Sequence, residues 1–214
     1  MSETIYQREP DTERRILEAA GRVFMLKGKL GASMQDIADE AGINRTLLHY
    51  YFRNKEKLFN TVFDKTIKQA FPAMVGIMAS KKSLPERIRL FIESYTKLLR
   101  ENPYLPVFVF QEISLNPERI TSMIQDMGID PATTLKGFKE DIERLGLRDV
   151  DPRQLFASMM GMVLFPYIGR GLFQAIAFQG DAEAYDRFLE DRNEHIPAFM
   201  EMAFRGAAEL NKES

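Results

Sequence analysis

The stretch 33–52, SMQDIADEAGINRTLLHYYF, has the pattern of two short helices joined by a tight turn. Ser33 and Asp36 are three residues apart, which is the spacing of a capping box at the start of a helix. Gly42 predicts the end of this helix, because glycine readily adopts the left-handed conformation of a sharp stop. Asn44 is a favourable cap for the second helix. The stretch therefore predicts a helix–turn–helix motif.

The second helix of this motif has two unlike faces. Its apolar face comprises Leu47, Leu48 and Tyr51, at helical spacing. The outward face comprises Arg45, Thr46, His49 and Tyr50. The major groove of B-DNA admits one α-helix, whose N-terminal residues reach the base edges. The outward face is therefore suited to duplex DNA, with Arg45 placed to bind a guanine edge; the alternative is that Arg45 is a solvated surface charge.

These residues and their neighbours resemble the tetracycline-repressor (TetR) family of bacterial transcription regulators. The similarity runs from about residue 12 to about residue 63, through TERRILEAAGRVFMLKG and then GASMQDIADEAGINRTLLHYYFRNKEKLF. Its specific elements are the IAxxAG core, an aromatic pair before Phe52, and Lys55 followed by LF at the start of a fourth helix. Two positions depart from the family pattern. His49 replaces a tyrosine that usually touches a DNA phosphate, and Leu47 replaces a small or hydroxyl residue.

The resemblance implies a ligand-responsive repressor that binds a palindromic, double-stranded DNA operator as a homodimer. It implies that Lys55 contacts a DNA phosphate. Lys55 lies in the first turn of a helix, whose free N–H groups attract anions. Ser33 and Gln35 are expected to contact phosphate for the same reason. The expected DNA-contact residues are Ser33, Gln35, Asn44, Arg45, Thr46, His49, Tyr50 and Lys55. For Asn44, a role as helix cap alone is an equal alternative.

Charge is distributed in agreement with this reading. The chain of 214 residues has a net charge of −2, but residues 22–57 hold seven Lys/Arg against four Asp/Glu, a local excess of three positive charges. From residue 61 onward the counts are 19 against 22, an excess of three negative charges. The chain has no cysteine, which excludes disulfides, thiolate metal sites and cysteine catalysis. The polar start lacks the apolar core of a secretory signal, and the expected location is the cytoplasm.

The whole chain predicts an all-α fold, with a DNA-binding domain at 10–70 and an effector-binding and dimerisation domain at 71–214. A polar arm is expected for residues 1 to about 9. The first helix is expected to start at a cap on Asp11 or Thr12, with Pro10 just outside. The fourth helix is expected to be capped by Asn54 and to run to roughly Met78 or Ser80, with Pro72 kinking it or ending it.

Further helices are predicted by apolar spacing and by proline and glycine breaks. They cover 85–101, 104–115, a segment from 117 interrupted near 127–131, 132–145, 152–179 and 182–210. Residues 155–178 are apolar and long enough for a membrane span, but Arg170 near the middle argues against one. The family resemblance implies that the last two helices form the dimer interface, and their apolar character agrees with it.

The second domain is rich in aromatic residues and methionine, which suits an adaptable pocket for a small apolar effector. Ordinary core packing is the alternative for each of these residues. The candidate ligand contacts are Tyr95, Phe108, Gln111, Phe138, Met162 and Tyr167. No nucleophile, phosphate-loop or metal-ligand motif occurs, so no enzyme activity, cofactor or metal is predicted. The alternative function is a helical small-molecule-binding protein, or a protein-interaction module, without specific DNA binding.

Overall fold

A computed structural model describes residues 9–147 and 150–210, and the described residues form eleven α-helices and no strand. The predicted all-α class is confirmed. The chain divides into two compact units, Met1–Phe71 and Pro72–Ser214. The polar arm predicted for residues 1 to about 9 falls almost wholly outside the described residues.

The first unit contains α1 (Pro10–Gly31), α2 (Met34–Ala41), α3 (Arg45–Tyr51) and the greater part of α4 (Lys55–Met78). The second unit contains the end of α4 and seven further helices. These are α5 (Leu84–Glu101), α6 (Leu105–Leu115), α7 (Pro117–Asp126), α8 (Pro131–Arg144), α9 (Pro152–Ile168), α10 (Arg170–Ile176) and α11 (Ala182–Leu210).

The start of α1 corrects the predicted cap. Pro10 lies inside the helix at its first position and Glu9 is the N-cap, without a side-chain capping bond. Proline is favoured there because its fixed φ suits a helix and its missing N–H would have no partner in the first turn. At the other end, Gly28 has a φ of 69° and interrupts the helical conformation, as expected for a break before the motif.

The core of the first unit is built from one apolar face of each helix. The fully buried side chains include Ile16 and Phe24 of α1, Ile37 and Ala38 of α2, Leu48 of α3, and Leu58 and Phe63 of α4. Phe24 meets Phe59 edge to face, with ring centroids 5.1 Å apart. The buried face of α3 fixes which of its residues are left outside.

Helix α4 continues through Pro72 to Met78, which confirms the predicted end of the helix; of the two effects expected of Pro72, the one that ends the helix is wrong. Asn54 accepts a hydrogen bond from the Lys57 N–H at 2.8 Å and caps the helix as predicted. Pro72 is the first residue of the second unit, and the two units therefore share one helix in the chain.

Two buried polar links tie neighbouring helices in the second unit. Arg87 of α5 forms an ion pair with Asp141 of α8, and it donates to the Met78 carbonyl at the end of α4 over 2.7 Å. Glu112 of α6 is buried and pairs with Arg119 of α7 at 2.9 Å. These links hold α4 to α8 and α6 to α7 by charge as well as by apolar packing.

The single helix predicted for 152–179 is wrong, because α9 and α10 are separate and bent by 72°. A Cβ on Gly169 would lie 3.2 Å from the Phe165 carbonyl oxygen and 3.5 Å from the Phe173 ring. The absence of a side chain therefore permits the tight break. No single helix among the described residues has the length and apolar character to cross a membrane, although the bent pair passes that test jointly.

Candidate nucleic-acid interface

The start of α2 is a complete capping box. The Ser33 hydroxyl accepts from the Asp36 N–H at 3.1 Å, and the Asp36 carboxylate accepts from the Ser33 N–H at 2.9 Å. Lys27 of α1 adds an ion pair to Asp36 at 2.7 Å. The bonds from Lys27 and Ser33 lower the pKa of Asp36 to about 2. The predicted capping box is confirmed, and it also anchors α2 to α1.

The turn between α2 and α3 is set by Gly42, whose φ of 64° is left-handed as predicted. The adjacent Ala41 carbonyl accepts from the Arg15 guanidinium of α1 at 2.9 Å. Arg22 of α1 also pairs with Glu40 at 2.7 Å. The end of α2 is thus held by backbone conformation and by two arginines of α1.

Helix α3 is positioned by its cap and by its buried face. The Asn44 Oδ1 accepts from the Leu47 N–H at 2.7 Å, which confirms the predicted cap and leaves the Nδ2 group for another acceptor. Leu48 and Tyr51 are buried, and Leu47 is half-buried rather than fully inward. The Tyr51 hydroxyl also accepts from the Glu9 N–H at 2.7 Å, which ties α3 to the start of α1.

The outward face of α3 carries a short hydrogen-bonded chain. Arg45 is exposed, and its Nε–H donates to His49 Nε2 at 3.3 Å. The other ring nitrogen of His49, Nδ1, lies 3.2 Å from the Arg53 carbonyl oxygen. A neutral imidazole with its proton on Nδ1 satisfies both contacts. This arrangement orients the Arg45 guanidinium and leaves its two Nη groups available for an acceptor pair.

The other two outward residues are Thr46 and Tyr50. Both are exposed, and the Tyr50 ring packs edge to face on the Tyr51 ring at 5.5 Å. An aromatic ring held this way presents its hydroxyl at a defined position. The outward face predicted from helical spacing is thus the exposed face of α3, with His49 half-buried at its edge.

Three predicted phosphate contacts are engaged within the protein. The Lys55 Nζ donates to the Ala32 carbonyl at 2.9 Å, so it satisfies the C-terminal end of α1. The Gln35 amide donates to Asp39 at 2.7 Å, and the Ser33 hydroxyl donates to Asp36 at 2.7 Å. Gln35 is exposed, and breaking an exposed bond costs little because water replaces the partner.

Comparison with known proteins agrees with this geometry. The family model for bacterial regulatory proteins of the tetR family matches residues 16–62, which span α1 to the first two turns of α4. The transcriptional repressor NicS of Pseudomonas putida is 30% identical over 115 residues, covering 54% of this chain and 48% of NicS.

Residues 16–62 therefore form a domain of the tetR family of bacterial regulatory proteins.

Two further comparisons show how far the likeness extends. The transcriptional activator FasR of Mycolicibacterium smegmatis is 22% identical over 120 residues, covering 55% of each chain. The chain therefore spans about half the length of these two TetR-family relatives. The crystal structure of HlyIIR, a hemolysin II transcriptional regulator, matches 84% of this chain and 96% of its own, with 24% identity and a TM-score of 0.58. The last likeness shows that this chain shares the fold of HlyIIR well beyond the residues that the family model matches.

The six predicted effector contacts are distributed over the second unit. Phe108, Phe138 and Tyr167 are buried, Tyr95 and Met162 are half-buried, and Gln111 is exposed. Met162 and Tyr167 share a neighbour, Arg192, which donates to the Met162 carbonyl and interacts electrostatically with Tyr167. Among the described residues, no group of three His, Cys, Asp or Glu side chains is arranged to hold a metal ion.

Sequence reasoning passed over several residues of interest. Arg53 follows α3 and Lys57 lies in the first turn of α4, and both are exposed cations near the motif in sequence. In the second unit it missed Thr96, Arg192 and Asn193. The last two lie between Leu189 and Ile196 on the apolar side of α11, and polar residues at such positions are a readable signal.

Proposed function

We propose that the protein is a DNA-binding transcriptional regulator that binds a palindromic operator as a homodimer. The observation that carries this proposal is α3, a capped helix whose exposed face presents Arg45, Thr46 and Tyr50 while Leu48 and Tyr51 anchor it. A helix of this kind fits the major groove, and the family model covers the motif.

Roles in DNA binding follow from the side-chain chemistry. Arg45 has two free-standing Nη groups, which suit the O6 and N7 acceptors of guanine. Asn44, Thr46 and Tyr50 lie on or beside the same face and are proposed to contact bases or nearby phosphates. His49 is proposed to meet a phosphate through its ring, in exchange for one of its contacts with Arg45 and Arg53.

The remaining contacts are proposed for the phosphate backbone. The first turns of α2 and α4 contain backbone N–H groups that no carbonyl of the helix can accept, and the cap of each helix bonds one of them. The remaining N–H groups attract anions. Gln35 and Ser33 lie at the first of these turns, and Lys55 at the second. Since the Lys55 ammonium binds the end of α1, its role in binding combines positioning of α4 with a positive charge near the backbone.

Dimer formation is supported by apolar side chains that the single chain leaves exposed on its last three helices. These are Phe156, Phe165, Ile168, Leu172, Ile176, Phe199 and Met202. Exposed apolar groups concentrated in this way are typical of protein interfaces. One recognition helix reads too few base pairs for useful specificity, and two copies would read half-sites about 34–36 Å apart.

The second unit is proposed to bind an effector, and effector binding is proposed to lower operator affinity. We propose domain limits of 10–70 and 71–214, which place α4 as the covalent link between DNA binding and effector binding. Ligand and operator would then oppose each other reciprocally, with a coupling free energy of about 1–3 kcal/mol. The names of NicS and FasR include a repressor and an activator, and we propose repression because NicS has the higher identity.

The proposal assigns no catalytic step and no cofactor, and it places the protein in the cytoplasm with the DNA. Its test is a gel-shift titration of the full chain on DNA that flanks its own gene, against a scrambled duplex of equal length. Specific binding is expected, with affinity that falls steeply between about 50 and 200 mM salt as counterions are released. Equal binding to both duplexes would favour the rival function of a helical binding module without specific DNA recognition.

A further inference from the structure

Three helices of the second unit meet at a junction defined by three polar contacts. Arg192 of α11 donates to the Met162 carbonyl of α9 at 2.6 Å, and Tyr185 of α11 donates to the Pro166 carbonyl at 2.7 Å. Residue numbers rise along α9 as they fall along α11, so the two helices are antiparallel. The third contact joins α5 to α11 through an ion pair at 2.5 Å, between Arg100 and Glu190.

Helices α5, α9 and α11 also carry buried polar atoms that have no hydrogen-bond partner among the described residues, and two of their owners, Tyr167 and Arg192, interact electrostatically. They are Thr96 Oγ1 of α5, Tyr167 Oη of α9, and Arg192 Nε and Asn193 Oδ1 of α11. Only 2% of Thr96 and 4% of Tyr167 is exposed. Buried polar groups in folded proteins are nearly always hydrogen-bonded. Three of these four groups can donate a hydrogen bond, whereas the Asn193 Oδ1 can only accept one. The three donors on three packed helices therefore indicate an acceptor group that these helices do not supply themselves.

The electrostatic character of the junction favours an anion. Burial raises the pKa of Tyr167 to about 12, although the nearby guanidinium groups of Arg100, Arg170 and Arg192 lower it. The Tyr167 hydroxyl is therefore a neutral donor at ordinary pH. Arg100 pairs with Glu190 and Arg170 with Asp186, but Arg192 has no carboxylate partner within the described part of the chain.

The surroundings of Arg192 are apolar. Its guanidinium lies over the Phe188 ring at 5.5 Å from the ring centre, and burial lowers its pKa. Phe188 contacts the rings of Phe173 and Phe178, with centroids 6.0 and 5.3 Å away. One uncompensated positive charge beside several aromatic rings is complementary to a singly charged head group on an apolar body.

We propose that this junction binds the carboxylate of a small apolar monocarboxylic acid. Tyr167 Oη–H and Arg192 Nε–H donate to the carboxylate oxygens, and the Thr96 hydroxyl is a third donor. A carboxylate matches the single unpaired cation better than a doubly charged phosphate does. The proposal deepens the proposed function by naming the class of the effector, and it rests on that function only for the regulatory role of the ligand.

The test is calorimetric titration of the full chain, without DNA, using benzoate and hexanoate with their neutral amides, benzamide and hexanamide. Saturable binding of at least one acid is expected, with its amide at least about tenfold weaker because the charge-assisted bonds are lost. Tyr167→Phe and Arg192→Gln are each expected to lower the affinity for the acid by about tenfold or more. The matched control is Arg187→Gln on the exposed side of α11, which should bind as the wild type does.

Three results would overturn the proposal. They are failure of both acids to bind, equal binding of an acid and its amide, and unchanged affinity in both Tyr167→Phe and Arg192→Gln. The first is the result expected if the orphan atoms only bind buried water. If circular dichroism shows that Arg192→Gln does not fold, the acid–amide comparison and the affinity of Tyr167→Phe still test the proposal.

The outcome is separable from that of the proposed function. Acid binding by a chain that shows no specific operator binding would contradict the regulatory function and leave the ligand site standing. Specific operator binding by a chain that binds neither acid would support the regulatory function and contradict the ligand site.

Discussion

Asn44 has a structural role in α3 and a proposed role in DNA binding, and substitution separates the two. Asn44→Ala removes the bond to the Leu47 N–H and is expected to cost about 0.5–2 kcal/mol of stability. Asn44→Ser keeps a capping oxygen and should retain most of that stability, but it lacks the Nδ2 donor. Urea unfolding and operator titration of both variants measure the two effects. Operator affinity of Asn44→Ser equal to the wild type would show that Asn44 is only a cap.

Asp36 makes the first unit sensitive to acid. Its pKa is lowered from 3.8 to about 2, most strongly by the hydrogen bond from Lys27 and less strongly by those from Ser33. A lowered carboxyl pKa contributes stability above the unfolded value, and this stability is lost as the pH falls from about 4 towards 2. The thermal midpoint of Asp36→Asn, followed by circular dichroism, should therefore lie below that of the wild type at pH 5 and approach it near pH 2. A constant difference across this range would contradict the assignment.

Local signals in the sequence were sufficient for most of these residues. Ser33, Gly42 and Asn44 act within three or four residues of themselves, so their roles follow from spacing alone. The role of Lys55 does not follow from spacing, because the carbonyl that it binds belongs to Ala32, 23 residues earlier. A side chain's long-range partner depends on the tertiary fold, and spacing carries no information about it.

At the scale of helices, Arg87 links α5 with α8 and with the end of α4. Only 7% of its surface is exposed, and its guanidinium also lies over the Phe138 ring. Arg87→Met removes this ion pair, but Asp141 is partly exposed and keeps Arg144 at 3.1 Å, so the expected destabilisation is about 1–3 kcal/mol. Urea unfolding checks this value. The double variant Arg87→Met/Asp141→Leu should recover part of the loss, since both charges are then removed. A single variant within about 0.5 kcal/mol of the wild type would show that the link is unimportant.

The division of the apolar segment into α9 and α10 shows a limit of reading helices from sequence. Composition predicts one helix across it, because Phe and Leu continue on both sides of Gly169. The break depends on the close approach of Phe173 to the Gly169 backbone, which is a packing contact. The same limit applies to Thr96 and Arg192, whose significance appears only when α5, α9 and α11 are brought together.

At the scale of the whole molecule, the exposed apolar side chains of α9, α10 and α11 predict a dimer. Phe199→Asp places a charge among them and is expected to shift the protein towards a monomer of 24.7 kDa. Light scattering coupled to size exclusion measures the mass. The matched control is Phe110→Asp on α6, which alters an equally exposed phenylalanine on another helix. A wild type that is monomeric at micromolar concentration, or a Phe199→Asp variant that remains dimeric, would contradict this interface.

The dimer and the motif together define what the protein can bind. Two copies of α3 require two half-sites, and a palindrome provides them in the same symmetry as the protein pair. The excess of three positive charges in 22–57 supports attraction to the DNA backbone, and we propose that base recognition depends on α3 and its cap.

Operator affinity of Arg45→Ala tests this dependence most directly. Fluorescence anisotropy with a labelled operator duplex is expected to show a loss of about 1–3 kcal/mol in binding free energy, or roughly five- to 150-fold in affinity, with little change on non-specific DNA. Lys139→Ala removes an exposed cation of α8 and should bind as the wild type does. Wild-type operator affinity in Arg45→Ala would contradict the claim that the exposed face of α3 reads DNA.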